Sequence, residues 1–140
     1  MNTPAKTKKR GAKDPKHLLD GKRVCILDDE NDPITILEAN LKKCGAQTRS
    51  FSRPGPAMEH LKRDPPDILL LDIMMPEMDG WVFYTSLRDE PELRELPVLF
   101  VTCLSEKDIE REMEQDHLCA TLSKPVFREQ LFEKMAQLLA

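Results

Sequence analysis

The sequence predicts an α/β fold in which one parallel sheet of five strands carries helices on both faces. Short apolar runs of strand length recur along the chain, amphipathic segments at helical spacing separate them, and Gly or Pro residues mark most boundaries. Alternation of this kind implies a parallel sheet, and right-handed crossovers leave few arrangements of it. With 140 residues, 40% of them hydrophobic, the chain suits a single domain with a real core.

Four of the strand candidates are apolar and one is polar. The apolar runs cover residues 23–27, 68–71, 97–101 and 120–123. The fifth candidate, residues 46–51, is poor in apolar side chains, which fits an edge position. We therefore expect a flavodoxin-like, doubly wound (βα)5 sheet with strand order 2-1-3-4-5.

Five helices are predicted between and after these strands. Asp32 and Pro33 form a start signal for the first helix, with Asp32 as its capping acid, and Gly45 ends it. The remaining predicted helices cover residues 56–63, residues 81–89, an acidic segment that begins at Ser105, and residues 127–139.

The first 20 residues differ in composition from the rest. Residues 1–22 contain seven Lys or Arg against two Asp, whereas residues 23–140 carry a net charge of −9. We predict a flexible basic tail over residues 1–20 and one folded domain over residues 21–140. Solubility is the simplest role for the tail. The absence of aromatic residues in it does not favour nucleic acid as a partner.

The expected location is the cytoplasm. No apolar run is long enough to span a membrane, and the lysine-rich start lacks the apolar segment of a secretory signal. The four cysteines show no C-x-x-C spacing, so we predict reduced thiols that pack as small apolar side chains.

Polar side chains end four of the five predicted strands. They are Asp28, Asp29, Asp72, Thr102 and Lys124. Because the carboxyl ends of parallel strands share one edge of the sheet, three carboxylates, a hydroxyl and an amine should converge there. The simpler alternative is that each residue only ends its own strand.

Such a set suits a divalent cation and a phosphoryl group. Mutually repelling carboxylates are best explained by a hard cation, and Mg²⁺ prefers a few carboxylates together with water and phosphate oxygens. One aspartate could then act as a nucleophile, while the lysine and threonine stabilise phosphoryl oxygens. No Gly-rich phosphate-binding loop is present, which argues against a bound nucleotide or dinucleotide.

These motifs resemble the receiver domain of bacterial two-component response regulators. The matching segments are Leu27-Asp28-Asp29-Glu30, Leu71-Asp72-Ile73-Met74-Met75-Pro76-Glu77-Met78-Asp79-Gly80, Val101-Thr102 and Lys124-Pro125. The resemblance covers residues 23–140 and rests on the joint spacing of all four motifs.

The resemblance implies that Asp72 accepts a phosphoryl group from a phosphohistidine on a histidine kinase or a histidine phosphotransfer protein. Asp29, Asp72 and the backbone carbonyl of Met74 would bind Mg²⁺, with Asp28 acting mainly through water. In the same family, the residues that correspond to Thr102 and Lys124 contact phosphoryl oxygens. The resemblance also implies a cis peptide bond between Lys124 and Pro125.

The resemblance further implies a conformational switch in which Thr102 moves toward the phosphate. The downstream protein target would bind the face made by helix four, strand five and helix five. Many receivers carry an aromatic residue on strand five where this chain has Thr121. We therefore expect the surface of helix four alone to carry the signal, with Thr102 and Thr121 as the switch residues.

Two alternatives stay open on sequence grounds. A small phosphatase of the haloacid-dehalogenase type also uses an aspartate nucleophile, but it needs an acid two residues later, where Met74 follows Asp72. A receiver-like interaction module that never carries phosphate is the other. The expected protein is not an enzyme, except toward its own phosphorylation and dephosphorylation, and has no output domain.

Overall fold

Strands and helices alternate along the chain in a computed structural model that describes residues 19–75, 79–103 and 118–139. The strands are β1 (Arg23–Leu27), β2 (Gln47–Phe51), β3 (Ile68–Leu71), β4 (Val98–Thr102) and β5 (Cys119–Ser123). The described helices are α1 (Asn31–Lys43), α2 (Pro54–Arg63), α3 (Gly80–Asp89), a 3-10 turn (Pro91–Leu93) and the C-terminal helix (Arg128–Leu139). The helix predicted to begin at Ser105 lies outside the described residues.

All five strands form one parallel sheet in the order β2-β1-β3-β4-β5, which confirms the predicted flavodoxin-like topology. In its register, Leu27 at the end of β1 pairs with Leu71 at the end of β3. The chain leaves these two strands toward opposite sides of the sheet, so the loops that follow them flank the point where strand order reverses.

Alternate strand residues pack into two apolar clusters, one on each face of the sheet. The first cluster includes Ile26 and Leu70, which pack against α1 and the C-terminal helix. The second includes Leu27, Leu71 and Phe100, which pack against α2 and α3. Burial of each such side chain stabilises the fold by roughly 1.5–3 kcal/mol, so the central strands are held firmly on both faces.

The helix starts differ from the sequence prediction. Asp32 was expected to cap α1, but Glu30 occupies the cap position and Asn31 is the first helical residue, so that prediction was wrong. Asp32 instead lies in the first turn, where its charge favours the positive end of the helix dipole. α2 begins at Pro54, two residues earlier than predicted, because proline is well suited to the first helical position.

β2 is an edge strand, as its polar sequence predicted. Among the described residues it pairs with β1, and its side chains are exposed or half-buried, in contrast to the fully buried β3 and β4. Polar and charged residues on an open edge discourage pairing with other chains.

The segment before β1 is anchored to the body. Leu19 is buried, and its backbone N–H donates to the Cys44 carbonyl at 2.9 Å. Gly45 has a φ of +93°, and a Cβ there would come within 2.9 Å of the Asp20 Cα. Leu19 and Asp20, which the sequence prediction assigned to the tail, therefore belong to the packed body, while residues 1–18 lie outside the described part.

All four cysteines are free thiols. Cys25 and Cys44 are buried as predicted, whereas Cys103 is exposed, contrary to the expectation that it packs as an apolar side chain. Burial raises the pKa of Cys25 to about 12, so its thiol is unreactive near neutral pH. Within the described residues, every helix is too short or too polar to cross a membrane.

Candidate functional site

The parallel register brings the strand ends of the predicted site together. The Asp72 backbone N–H donates to the Leu27 carbonyl at 3.0 Å, which places Asp72 beside Asp28. The Lys124 N–H donates to the Thr102 carbonyl at 2.8 Å, so the ends of β4 and β5 also meet. Both contacts are backbone hydrogen bonds across neighbouring strands, and they follow from the sheet order rather than from side-chain chemistry.

Three carboxylates form the centre of this edge. Asp28, Asp29 and Asp72 each offer an oxygen atom within 4.8 Å of the others. Asp28 and Asp72 are buried at 2% and 4% exposure, and Asp29 lies nearer to solvent. Hard oxygen ligands in such a cluster are the donor set that Mg²⁺ prefers, so the residues present fit this cation.

Lys124 places a positive charge beside two of these acids. Its Nζ lies 2.8 Å from Asp28 Oδ2 and 3.2 Å from Asp72 Oδ2, and it also approaches Glu30 Oε1 at 3.5 Å. Burial alone would lower the pKa of Lys124, but the hydrogen bond and charge of Asp28, followed by those of Asp72, raise it above its ordinary value. The ammonium group therefore stays charged at physiological pH.

Backbone N–H groups orient the two buried carboxylates. Asp28 Oδ1 accepts a hydrogen bond from the Glu30 N–H at 3.0 Å, and Asp72 Oδ1 accepts one from the Met74 N–H at 3.1 Å. Burial raises the pKa of Asp72, and the Met74 hydrogen bond and Lys124 charge partly offset this effect. In each carboxyl group, one oxygen is fixed by backbone and the second faces Lys124.

Close backbone packing holds the loop after β3 in place. The Gly80 N–H donates to the Ile73 carbonyl at 2.8 Å, and a Cβ on Gly80 would meet the Asp72 carbonyl oxygen at 2.6 Å and collide with the Ile73 Cα. The Asp79 side chain accepts from the Trp81 N–H and caps α3. Only glycine fits where α3 begins against the loop that carries Asp72.

The structure gathers most of the predicted site residues and separates one of them. Asp28, Asp29 and Asp72 lie together, Lys124 contacts Asp28 and Asp72, and Thr102 is buried at the adjoining strand end. Thr121 lies inside β5, beside Phe100 of β4. It is buried away from the acids, and its hydroxyl has no hydrogen-bond partner among the described residues.

Two further features of the site concern Glu30 and the peptide after Lys124. Sequence reasoning assigned no role to Glu30, although its position as the third acid after β1 was a usable signal for its contact with Lys124. The peptide bond between Lys124 and Pro125 is cis, as predicted. The side chain of Met74 is exposed, while its backbone reaches Asp72.

An apolar groove lies beside this acidic pocket. It has a volume of about 280 Å³ and is lined from the α1 side by Pro33, Ile36 and Leu37, and from the other side by Pro125 and Val126. Ile36 is 63% exposed. An exposed apolar surface of this kind at the rim of a site is typical of protein contact regions.

The comparisons with known proteins agree with this geometry. A family model of the response regulator receiver domain matches residues 24–136. Response regulator PleD of Caulobacter vibrioides is 33% identical over 117 residues, covering 83% of this chain and 26% of PleD. The chain thus spans about a quarter of the length of PleD.

Two further relatives extend the comparison. Polar-differentiation response regulator DivK of Brucella anthropi is 30% identical, covering 75% of this chain and 85% of DivK. The structure of chemotaxis protein CheY4 from Vibrio cholerae, at 20% identity, superposes with a TM-score of 0.78 over 84% of this chain and 98% of CheY4, which shows the shared fold. These matches do not favour the phosphatase alternative. The chain belongs to the response regulator receiver domain family of two-component signalling systems.

Proposed function

We propose that this protein accepts a phosphoryl group on Asp72 from the phosphohistidine of a histidine kinase or a histidine phosphotransfer protein. The observation that carries the proposal is the convergence of three carboxylates within 4.8 Å, with Lys124 in contact with two of them. The four free cysteines fit a reducing cytoplasm as the place of action.

Asp72 is the proposed nucleophile. Its Oδ1 is held by the Met74 N–H, and its Oδ2 faces Lys124. A carboxylate oxygen of Asp72 would attack phosphorus, the phosphorus–nitrogen bond to the donor imidazole would break, and the electron pair would leave with that imidazole. The product is an acyl phosphate on Asp72.

Lys124 and Thr102 are proposed to stabilise the transferred group. The Lys124 ammonium can contact a phosphoryl oxygen from its present position beside Asp72, and the Thr102 hydroxyl can donate a hydrogen bond from the end of β4. Movement of Thr102 toward the phosphate would begin the switch, and Thr121 lies two pairs back along the β4–β5 ladder. The downstream partner is proposed to bind the face of helix four, strand five and the C-terminal helix.

Mg²⁺ would be held by Asp29, Asp72 and the Met74 carbonyl, with Asp28 acting through water. A bound cation supplies positive charge against the transferring phosphoryl oxygens. Asp28 makes the shorter contact with Lys124, at 2.8 Å against 3.2 Å for Asp72, which supports a role for Asp28 through water.

Incubation with acetyl phosphate and Mg²⁺, followed by intact-mass measurement, tests the proposal. The native chain should gain the mass of one phosphoryl group and the Asp72→Asn variant should gain none. Asp67→Asn is the matched control, because Asp67 directly precedes β3 and so lies at the other end of the strand that leads to Asp72. Equal labelling of native protein and Asp72→Asn would reject the proposal, and so would turnover of many phosphate esters without labelling.

The apolar groove is proposed to receive the histidine donor. Ile36→Asp should reduce phosphotransfer from a cognate donor protein by roughly tenfold or more while leaving the reaction with acetyl phosphate unchanged, because only the protein donor needs the contact. Val82→Asp, which changes an exposed apolar residue on α3, is the matched control. Equal losses with both donors would place Ile36 outside the docking surface.

A further inference from the structure

A polar notch lies where the strands begin, whereas Asp72 lies where they end. The proposed phosphotransfer does not use this notch. The notch has a volume of about 180 Å³ and lies between α2 and the starts of β1 and β2. Its lining includes Arg23, Gln47, Arg49, His60 and Asp64.

The notch follows from the register and from the polar sequence of β2. Arg23 pairs with Gln47 and Cys25 with Arg49, so these four side chains project from the same face of the sheet. α2 covers that face. Because Cys25 is small and the β2 side chains are polar, apolar groups do not fill the space beside the helix, and the notch stays open.

Positive charge dominates this notch although the body of the protein is acidic. Arg23 pairs with Asp64, while no carboxylate pairs with Arg49 in the part of the chain that the structure describes. The Arg49 guanidinium lies 5.7 Å from the centre of the Phe51 ring. The guanidinium is therefore held beside the notch without an anionic partner. Its planar fork of N–H donors is well suited to bind an oxyanion through two hydrogen bonds.

His60 adds a second polar group that lacks a partner. Its Nδ1 atom is buried and makes no hydrogen bond within the described residues, and its ring packs on Phe51 at 5.3 Å between centroids. Burial, and then the charge of Arg49, lowers the pKa of His60, so the ring is neutral near pH 7. The neutral ring lines the notch without adding charge to it, so Arg49 is the group there that would attract an anion.

We propose that this notch, formed by Arg49, His60 and Gln47, binds a small oxyanion, either a phosphate or a carboxylate. The guanidinium would supply the charge and the paired donors, the Gln47 amide would complete the contacts, and the His60 ring would form one wall of the site. The site is independent of phosphorylation at Asp72, because it lies at the opposite ends of the strands.

Titration of the full-length chain, without Mg²⁺, tests this inference. Sodium phosphate and sodium acetate are added separately at constant ionic strength against sodium chloride, and the side-chain nitrogen signals of His60 and Arg49 are followed by NMR. Saturable shifts with phosphate or acetate, but not with chloride, are expected, and the two series identify which oxyanion is preferred.

Variants make the test specific. Arg49→Gln should weaken binding roughly tenfold or more, as expected for loss of a charge-assisted pair of hydrogen bonds. Arg94→Gln, which removes an exposed arginine outside the notch, should leave binding unchanged. Labelling by acetyl phosphate and Mg²⁺ confirms that each variant is folded. Unsaturable shifts, identical shifts with chloride, or undiminished binding by Arg49→Gln would overturn the inference.

Discussion

Ion pairs lie at both ends of the strands of the sheet. They are buried at the side where the strands end, the carboxyl edge, and exposed at the side where the strands begin, the amino edge. The Lys124 side chain is 13% exposed and contacts Asp28 and Asp72, which are almost fully buried. The Arg23 and Asp64 side chains are 40% and 56% exposed. The same kind of interaction therefore operates in two different dielectric environments.

The difference determines how much each pair matters. Water and salt screen an exposed pair, which typically contributes less than about 1 kcal/mol. A buried pair costs desolvation, so removal of one partner leaves an uncompensated charge in the interior. The Lys124 contacts at the carboxyl edge are thus little screened, whereas the Arg23–Asp64 pair at the amino edge is screened by solvent.

The largest expected effect comes from Lys124→Met. It should reduce the free energy of unfolding by about 3 kcal/mol, because Asp28 and Asp72 would remain buried without their cation. Urea unfolding measures this loss, and added Mg²⁺ should restore part of it.

Lys62→Met is the matched control, since Lys62 and its partner Glu90 are much more exposed. A loss in Lys62→Met as large as that in Lys124→Met would contradict the contrast between buried and exposed pairs.

Gly80→Ala should have the next largest effect. The added Cβ would collide with the backbone of Ile73 and Asp72, which cannot move away cheaply. We expect a loss of about 2 kcal/mol in urea unfolding and slower labelling by acetyl phosphate, since the loop that carries Asp72 would shift.

Gly55→Ala tests whether the effect is steric. A Cβ on Gly55 meets nothing within 4 Å, and alanine is the better helix former, so this variant should be as stable as the native protein or more so. Equal destabilisation by both variants would rule out the steric explanation.

Arg23→Gln should lower stability by less than about 1 kcal/mol, because the pair with Asp64 is exposed. Its backbone N–H bond to Asp67, at 2.7 Å, does not depend on the side chain. The loss should shrink further in high salt. A salt-independent loss comparable to that of Lys124→Met would show that the amino edge is not governed by screening.

The smallest effect concerns pH at the amino edge. Because the pKa of His60 is lowered in the folded state, mainly by burial, protonation favours the unfolded chain. This term reduces stability as the pH falls through about 6.5, the unfolded value, toward the lower folded value. His60→Gln should flatten that part of the stability profile in urea unfolding between about pH 7 and about pH 5, and an unchanged slope would remove His60 as its cause.

The sequence predicted the carboxyl edge more completely than the amino edge. Strand ends in a parallel sheet fall on one side, so Asp28, Asp72 and Lys124 could be brought together from the order of elements alone. The individual hydrogen bonds of Lys124 could not be predicted, because its partners Asp28 and Asp72 lie 96 and 52 positions away in the sequence.

Local signals also had limits at the helix starts and at the amino edge. Asp32 matches a capping pattern, yet the bend after β1 places Glu30 there instead. The lack of a hydrogen-bond partner for His60 Nδ1 depends on how α2 packs on β2. No periodic pattern in the sequence indicates this packing. The aromatic contact of Trp81 with Phe100, at 5.1 Å, is of the same kind, since it depends on how the start of α3 packs on β4.

The anchoring of Leu19 sets where anything joined to the front of the body must emerge. Its buried side chain and the bond from the Gln47 N–H to the Lys22 carbonyl fix this segment beside the start of β2. A fluorophore or affinity handle attached directly before Leu19 would therefore join the body at the amino edge, at the other end of the strands from Asp72. That position offers an attachment point for surface immobilisation that keeps the acidic pocket facing solution.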